Sequence, residues 1–186
     1  MADKKKITST PPSLVGGKVY LRPATAEDIA AMHYWRTIEE PLRHSWRAEP
    51  ISSAGEAAEQ FKQAGASLTR QQFAIVTTKG EELVGQIGYD DLNPLNRSAQ
   101  LKMIIDPEER KKDYGAEALR LLCAYLFRQR DLNKMLVWVS ALHEDVIRDL
   151  ETVGFDRDGT MRQHHFFDGD YYDVYIYSLL RFDFSA

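Results

Sequence analysis

An apolar helix between two apolar strands is the feature of this sequence that most constrains its fold. Residues 100–105 alternate apolar and polar side chains, as in a strand with one covered face. Residues 114–130 carry apolar side chains at helical spacing, with an acidic residue in the first turn and arginines in the last, which suits the helix dipole. Residues 135–139 are apolar throughout, as in a strand covered on both faces. Strand, helix and buried strand in succession predict one parallel crossover.

The other predicted strands are short and closely spaced, which favours antiparallel pairing. Turn residues separate three consecutive strands in the middle of the chain, so we expect a three-stranded antiparallel meander. Asp168-Gly169 predicts a hairpin turn between the last two strands. The strands expected outside the crossover lie at about residues 19–23, 73–77, 83–89, 155–166 and 171–181. The predicted fold class is mixed α/β, with a mostly antiparallel central sheet and helices on both faces.

Further helices and the domain boundary follow from local signals. Thr25 is a candidate helix cap, because Asp28 stands three residues further on. The remaining helices are expected at about residues 39–47, 53–66 and 144–152. Residues 1–15 are polar, contain two prolines and show no periodicity, so they are predicted to form a flexible N-terminal tail. Without an internal repeat or a linker, residues 16–186 are predicted to form a single domain.

The composition excludes several classes of function. Acidic residues number 28 and basic residues 24, a formal net charge of −4, whereas a nucleic-acid partner needs a basic surface. No segment approaches the ~20 apolar residues of a membrane span, and no signal peptide is expected, so the default prediction is a cytoplasmic protein with no membrane partner. The single cysteine, Cys123, excludes an intramolecular disulfide and a multi-cysteine metal site, and no metal is expected. Its apolar neighbours favour a buried core residue over a reactive thiol.

The segment most informative about function is the loop that precedes the long helix. Its residues are Arg110, Lys111, Lys112, Asp113, Tyr114, Gly115 and Ala116. A helix start exposes unpaired backbone N–H groups with a partial positive charge, a glycine lets a ligand approach the backbone, and basic side chains add positive charge. Together these features are typical of a binding site for a diphosphate group. A basic turn before a helix can also be no more than a turn, so the pattern alone leaves both interpretations open.

The order of elements and several local motifs resemble the GNAT superfamily of N-acetyltransferases. Residues 110–116 lie on its Arg/Gln-x-x-Gly-x-Gly/Ala loop at the start of the central helix. Val-Gly-Phe at 153–155 and Asp-Gly-Asp-Tyr-Tyr-Asp at 168–173 resemble the branch that contains ribosomal-protein N-terminal acetyltransferases and spermidine acetyltransferase. The opening segment at 19–24 also fits the family. The resemblance covers roughly residues 17–182.

This resemblance implies transfer of an acetyl group from acetyl-CoA to a primary amine, either of a protein N-terminus or of a small molecule, by direct attack. The diphosphate of acetyl-CoA would rest on the 110–116 loop. Its pantetheine arm would run along the strand that ends at Ile105, where neighbouring strands separate. The thioester carbonyl would meet a backbone N–H of Met103, Ile104 or Ile105, an oxyanion-type contact.

Three positions depart from the family pattern. Asp113 stands at the first glycine of the loop, where we expect its carboxylate to cap the helix and to occupy the anion site, which predicts weak CoA binding. Leu150 stands where many relatives carry a tyrosine that protonates the leaving thiolate, and Gln100 where they often carry a glutamate base. His143, at the position of an asparagine near the pantetheine arm, is the candidate substitute acid; an exposed residue at a helix start is the alternative.

The acceptor is the least constrained part of the prediction. Asp90 and Asp91 are candidates for acceptor binding because they close a strand that faces the expected cleft. The resemblance adds Glu39, Glu40 and His44, which lie in the helical region that forms the acceptor side in relatives. An acidic pair would hold an amine cation, and solvated helix ends and turns are the alternative for each. The tyrosine-rich final hairpin is a candidate homodimer surface. Two functions remain open: an active N-acetyltransferase, and a GNAT-shaped binding or regulatory protein with impaired catalysis and weak or no CoA binding.

Overall fold

The computed structural model describes residues 14–37, 52–65 and 67–185. The strands are β1 (Leu14–Val15), β2 (Val19–Pro23), β3 (Gln71–Thr77), β4 (Leu83–Asn93), β5 (Ser98–Ile105), β6 (Lys134–Ser140), β7 (Asp156–Phe167) and β8 (Asp170–Leu180). The α-helices are α1 (Ala26–Thr37), α2 (Ala54–Ala64), α3 (Tyr114–Gln129) and α4 (Glu144–Val153). Among these helices, none has the length and apolarity needed to cross a bilayer.

The strands join one sheet in the order β1-β2-β3-β4-β5-β6-β8-β7. Neighbouring strands are antiparallel except β5 and β6, which are parallel and are connected through α3. The predicted meander is β3-β4-β5, and the predicted crossover is β5-α3-β6. The mixed α/β fold class with a mostly antiparallel sheet is therefore confirmed.

One face of the sheet packs against α3 and α4. Leu21 of β2 and Leu101 of β5 point to this face and are buried with Leu122 and Leu126 of α3. The two α3 leucines are four residues apart, so they share one face of the helix. Burying each leucine contributes about 1.5–3 kcal/mol to stability. Cys123 belongs to the same core, which confirms that it is a buried residue.

The opposite face of the sheet packs against α1. Arg22 follows Leu21 in β2 and therefore points to this other face. Its guanidinium forms a buried two-point ion pair with Asp28 of α1, with Nη1–Oδ2 at 2.5 Å and Nη2–Oδ1 at 2.8 Å. The backbone N–H of Thr25 donates to Asp28 (2.8 Å) and the N–H of Asp28 donates to Thr25 Oγ1 (3.3 Å), so the predicted capping pair forms. This cluster fixes the start of α1 to the end of β2.

The N-terminal part of the described chain differs from its prediction. The flexible tail was predicted to include Leu14 and Val15, but these two residues pair with β2 as strand β1. A carboxylate from α3 holds this region in place: Glu117 accepts hydrogen bonds from the backbone N–H groups of Gly17 (2.5 Å) and Lys18 (2.9 Å). A strand of two residues shows no alternation, so no sequence pattern could reveal it. The helix expected at 39–47 lies outside the described residues.

Candidate active site

The parallel strands β5 and β6 separate after a short stretch of pairing. Their register comprises three residue pairs, the last of which is Gln100↔Leu136. Beyond this point β5 stays paired with β4 up to Ile105, and β6 stays paired with β8 up to Ser140. The two strands therefore diverge towards their carboxyl ends and leave a wedge-shaped cleft in the sheet, at the place where the resemblance implies the pantetheine arm.

A cavity of about 250 Å³ occupies the cleft. Its wall extends from the start of α3 along both strands and includes residues of α4. Three glutamines, Gln72, Gln86 and Gln100, also line it. Each is adjacent in its strand to an apolar residue of the α3-side core, so it points to the opposite, polar face of the sheet. The cavity thus connects the start of α3 with the polar face of the sheet.

The backbone of β5 presents hydrogen-bonding groups to the cleft. The N–H of Asp106 donates to the carbonyl of Val84 on β4 (2.9 Å). Because backbone groups alternate in direction along an antiparallel strand, Ile104 also directs its N–H and C=O towards β4. Met103 and Ile105 direct theirs towards the cleft. Of the three residues expected to contact the thioester, Met103 and Ile105 therefore have backbone groups on the ligand side.

The start of α3 differs from its predicted arrangement. Asp113 is the N-cap residue, but its side chain makes no capping hydrogen bond. Its Oδ2 lies 2.9 Å from Nζ of Lys18, and this hydrogen-bonded pairing lowers the pKa of Asp113 from its ordinary value. The prediction that the Asp113 carboxylate occupies the anion site is therefore wrong. The physical reason is its backbone, because φ is 62°, a left-handed conformation that glycine favours, and not the extended conformation of a capping residue.

The basic side chains of the loop have different environments. Arg110 lines the cavity, with Nε 3.7 Å from Oδ2 of Asp145 on α4. Lys111 lines the cavity and is exposed. Lys112 pairs with Glu109 at 2.6 Å (Nζ–Oε2) and does not belong to the cavity wall. Arg110 and Lys111 are therefore the loop cations nearest to a ligand at the helix start.

A carboxylate from α4 faces the first turn of α3. A Cβ atom on Gly115 would collide with Oδ2 of Asp149 and would lie 3.0 Å from Cε of Met103, so the ends of these two side chains lie directly against the glycine. Burial, helped by the negative charges of Asp145 and Asp113, raises the pKa of Asp149 to about 6. The carboxylate is therefore largely ionised at neutral pH, beside the site expected for a diphosphate. Sequence reasoning did not single out Asp149.

The positions expected to take part in proton transfer line the cavity. His143 is buried at the start of α4, where its backbone N–H donates to the carbonyl of Ser140 (3.0 Å). The alternative of an exposed His143 is therefore wrong. Leu150 is fully buried on α4, and Gln100 stands where the pairing of β5 and β6 ends. A leucine and an amide exchange no proton near neutral pH, whereas an imidazole does.

The predicted acceptor-binding residues do not form one group. Asp90 lines the cavity and pairs with Lys102, with Oδ2 2.5 Å from Nζ. Asp91 is exposed, has a φ of 49° at an irregularity of β4, and is absent from the cavity wall. The expected acidic pair is therefore not formed by these two carboxylates. Three further candidates lie outside the described residues, namely Glu39, Glu40 and His44.

The final hairpin exposes aromatic side chains at its turn. Phe166 and Tyr171 are 56% and 64% exposed, and their ring centres are 5.1 Å apart. β7, which carries Phe166, is an edge strand of the sheet. A homodimer contact through this hairpin stays a prediction.

Comparison with known proteins identifies the class to which this fold and cleft belong. Residues 18–156 match the family model described as an acetyltransferase (GNAT) domain. The chain therefore belongs to the GNAT acetyltransferase family. It is an acetyl-CoA-dependent N-acetyltransferase. Of the two functions left open by the sequence, membership of this family favours the enzyme.

Individual relatives are distant in sequence. The spermidine N(1)-acetyltransferase of Escherichia coli (strain K12) is 26% identical over 153 residues, which are 82% of this chain and 81% of that protein. A ribosomal N-acetyltransferase-like protein of Bacillus subtilis (strain 168) is 29% identical over 99 residues, 53% of this chain and 54% of that protein. The crystal structure of spermidine N-acetyltransferase from Vibrio cholerae in complex with CoA and spermine has a TM-score of 0.79 at 22% identity, covering 89% of this chain and 96% of that one. This last likeness shows the fold.

The residues at the start of α3 fit the diphosphate of acetyl-CoA. The first intrahelical donor is Glu117, whose N–H donates to the carbonyl of Asp113 (3.2 Å). The preceding amides, those of Tyr114, Gly115 and Ala116, have no partner four residues earlier within the helix and point towards its N-terminal end. Arg110 and Lys111 add positive charge at the same place. Carboxylates in the cavity wall oppose this fit, namely those of Asp113, Asp145 and Asp149, and their negative charges weaken it.

Proposed function

We propose that this enzyme transfers the acetyl group of acetyl-CoA to a primary amine of a small polyamine of the spermidine class. The main support for the proposed acetyl transfer is the cleft between β5 and β6, because it connects the start of α3 with the polar face of the sheet. The acceptor class rests on the spermidine acetyltransferase relative, which is matched over 82% of this chain, whereas the ribosomal relative is matched over 53%. A protein N-terminus, favoured by the second relative, is the other candidate.

In this proposal the cleft holds acetyl-CoA along its length. The amides of residues 114–116 donate to the diphosphate, and Arg110 and Lys111 offset its charge. The cleft-facing backbone groups of Met103 and Ile105 pair with the pantetheine arm. One of these two N–H groups donates to the thioester carbonyl, whose oxygen gains negative charge during the reaction.

The acceptor amine approaches from the polar face of the sheet. Acetyl-CoA supplies the acetyl group as a thioester, whose carbonyl carbon the neutral amine attacks directly. A C–N bond forms, the C–S bond breaks, the amine nitrogen loses a proton and the thiolate gains one. We assign the proton donor to His143, because it is buried in the cavity wall and Leu150 has no proton to give. Holding amine and thioester in contact supplies much of the rate, since the reaction becomes effectively unimolecular.

The test compares acceptors at a saturating concentration of acetyl-CoA. We expect kcat/KM for spermidine to exceed that of a short peptide with a free N-terminal alanine by about tenfold or more, which corresponds to roughly 1.4 kcal/mol of transition-state binding. N-terminally blocked peptide serves as the control, and product is measured as free coenzyme A. A preference for the free peptide would show that the acceptor is a protein N-terminus.

The transfer itself has a separate test. A ligand at 100 times its dissociation constant stabilises a protein by about 2.7 kcal/mol, so acetyl-CoA should raise the midpoint of thermal unfolding. The absence of both a thermal shift and coenzyme A release with any amine would contradict the proposed transferase.

A further inference from the structure

A basic side chain from outside the loop reaches the start of α3. Lys18 lies on the turn between β1 and β2, and its Nζ is 2.9 Å from Oδ2 of Asp113. The same Nζ is 3.3 Å from the backbone carbonyl oxygen of Lys112. Lys18 therefore contacts two consecutive residues of the diphosphate loop. It belongs to no motif of that loop, and nothing in the sequence pattern indicated it.

The turn that carries Lys18 is fixed against α3. The Glu117 carboxylate accepts from the backbone N–H groups of both Gly17 and Lys18. A Cβ atom on Gly16 would collide with the same carboxylate, so the turn lies directly on the first turn of α3. On its other side, Thr78 Oγ1 donates to the carbonyl of Gly17 (2.9 Å). The backbone of Lys18 is therefore held beside the start of α3, which places the root of its side chain within reach of Asp113.

The partner of Lys18 is the residue that departs from the family pattern. A glycine at position 113 would place no charge beside the helix start, whereas Asp113 places a carboxylate there. The backbone conformation of Asp113 keeps this carboxylate from capping the helix, but an uncompensated negative charge beside the free amides would still repel a diphosphate. The hydrogen bond with Asp113 raises the pKa of Lys18 and lowers that of Asp113, so both groups stay charged at neutral pH and attract each other.

We propose that Lys18 is a positioning residue for acetyl-CoA, which acts by holding the Asp113 carboxylate away from the diphosphate site. The inference rests on the proposed binding of the diphosphate at the start of α3. Since Lys18 contacts the loop and not the reacting atoms, its replacement should raise KM for acetyl-CoA and leave kcat unchanged. In this respect Lys18 compensates for the missing glycine of the loop.

The experiment is a double-mutant cycle on Lys18 and Asp113, with CoA binding measured by calorimetry at low salt. We expect Lys18→Met to weaken CoA binding by about three- to fivefold, a typical coupling for an exposed ion pair, and Lys18→Arg to retain most of the affinity. In an Asp113→Asn background, Lys18→Met should change the affinity by less than about twofold, because no carboxylate remains to be held away. Unfolding midpoints check that each variant is folded.

The matched control is Lys79→Met. Lys79 is exposed on the turn between β3 and β4, and the variant changes the net charge by the same amount. We expect its CoA affinity to match that of the parent. An equal loss for Lys18→Met in both backgrounds would show that Lys18 acts on the ligand directly, and no loss in either would show that it has no role; each result overturns the inference. A parent protein that does not bind CoA would overturn the proposed function as well, so the two failures are distinguishable.

Discussion

Replacement of Asp149 by asparagine removes a carboxylate that the fold holds partly out of water beside α3. The Asp149 side chain is 13% exposed, and burial, with the nearby carboxylates, raises its pKa from 3.8 to about 6. Between these two values the unfolded chain has lost the proton and the folded chain has kept it. The free energy of unfolding therefore decreases as pH rises through this window. A pKa difference of this size corresponds to about 3 kcal/mol, which solvent screening reduces to about 1–2 kcal/mol.

The assay is urea unfolding of the parent and of Asp149→Asn across this pH window. Near pH 7.5 we expect the variant to be more stable by about 1–2 kcal/mol, and near pH 4 the difference should be close to zero. Asp156→Asn, which removes an exposed carboxylate from β7, serves as the control and should show no such trend. CoA binding at neutral pH should also become tighter in Asp149→Asn, since one negative charge fewer faces the diphosphate. A stability gain of the same size at both pH values would refute the burial argument.

Two further substitutions test the α1 anchor and the proposed proton donor. Asp28→Asn leaves the buried Arg22 guanidinium without its counter-charge, so we expect the free energy of unfolding to fall by about 3–5 kcal/mol. Glu27→Gln, on the exposed side of the same turn, should change it by about 0.5 kcal/mol or less; a similar effect of both would contradict the anchoring role. His143→Ala should lower kcat about 10²-fold, and His143→Asn should not recover it, because an amide has no proton to transfer. Rates for His143→Asn equal to those of the parent would rule out proton donation by His143.

The elements that were predictable from sequence are those whose pattern repeats several times. α3 shows apolar residues over four turns, and β6 is a continuous apolar run, so both were placed close to their observed bounds. Their order also predicted the parallel crossover, from which the cleft between β5 and β6 follows. β1 was missed because a strand of two residues contains no repeat, and its position depends on contacts with α3.

The charges at the site were less predictable, because their partners are distant in sequence. Asp113 was expected to cap α3 from its residue type, but it pairs with Lys18, which is 95 residues away. Asp145 and Asp149 are four residues apart on α4, so their common helix face was visible in the sequence. The raised pKa of Asp149 was not, since it arises from the packing of α4 against the start of α3.

The burial of Cys123 makes the protein well suited to a simple optical assay. It is the chain's only cysteine, it lies fully inside the core, and burial raises the pKa of its thiol well above the ordinary value. A maleimide or disulfide dye therefore reacts with liberated coenzyme and not with the native enzyme, so turnover can be followed continuously without a protein background. Once the chain denatures, this sulfur becomes accessible, and one reagent then reports both catalytic progress and the fraction of molecules that have lost their core.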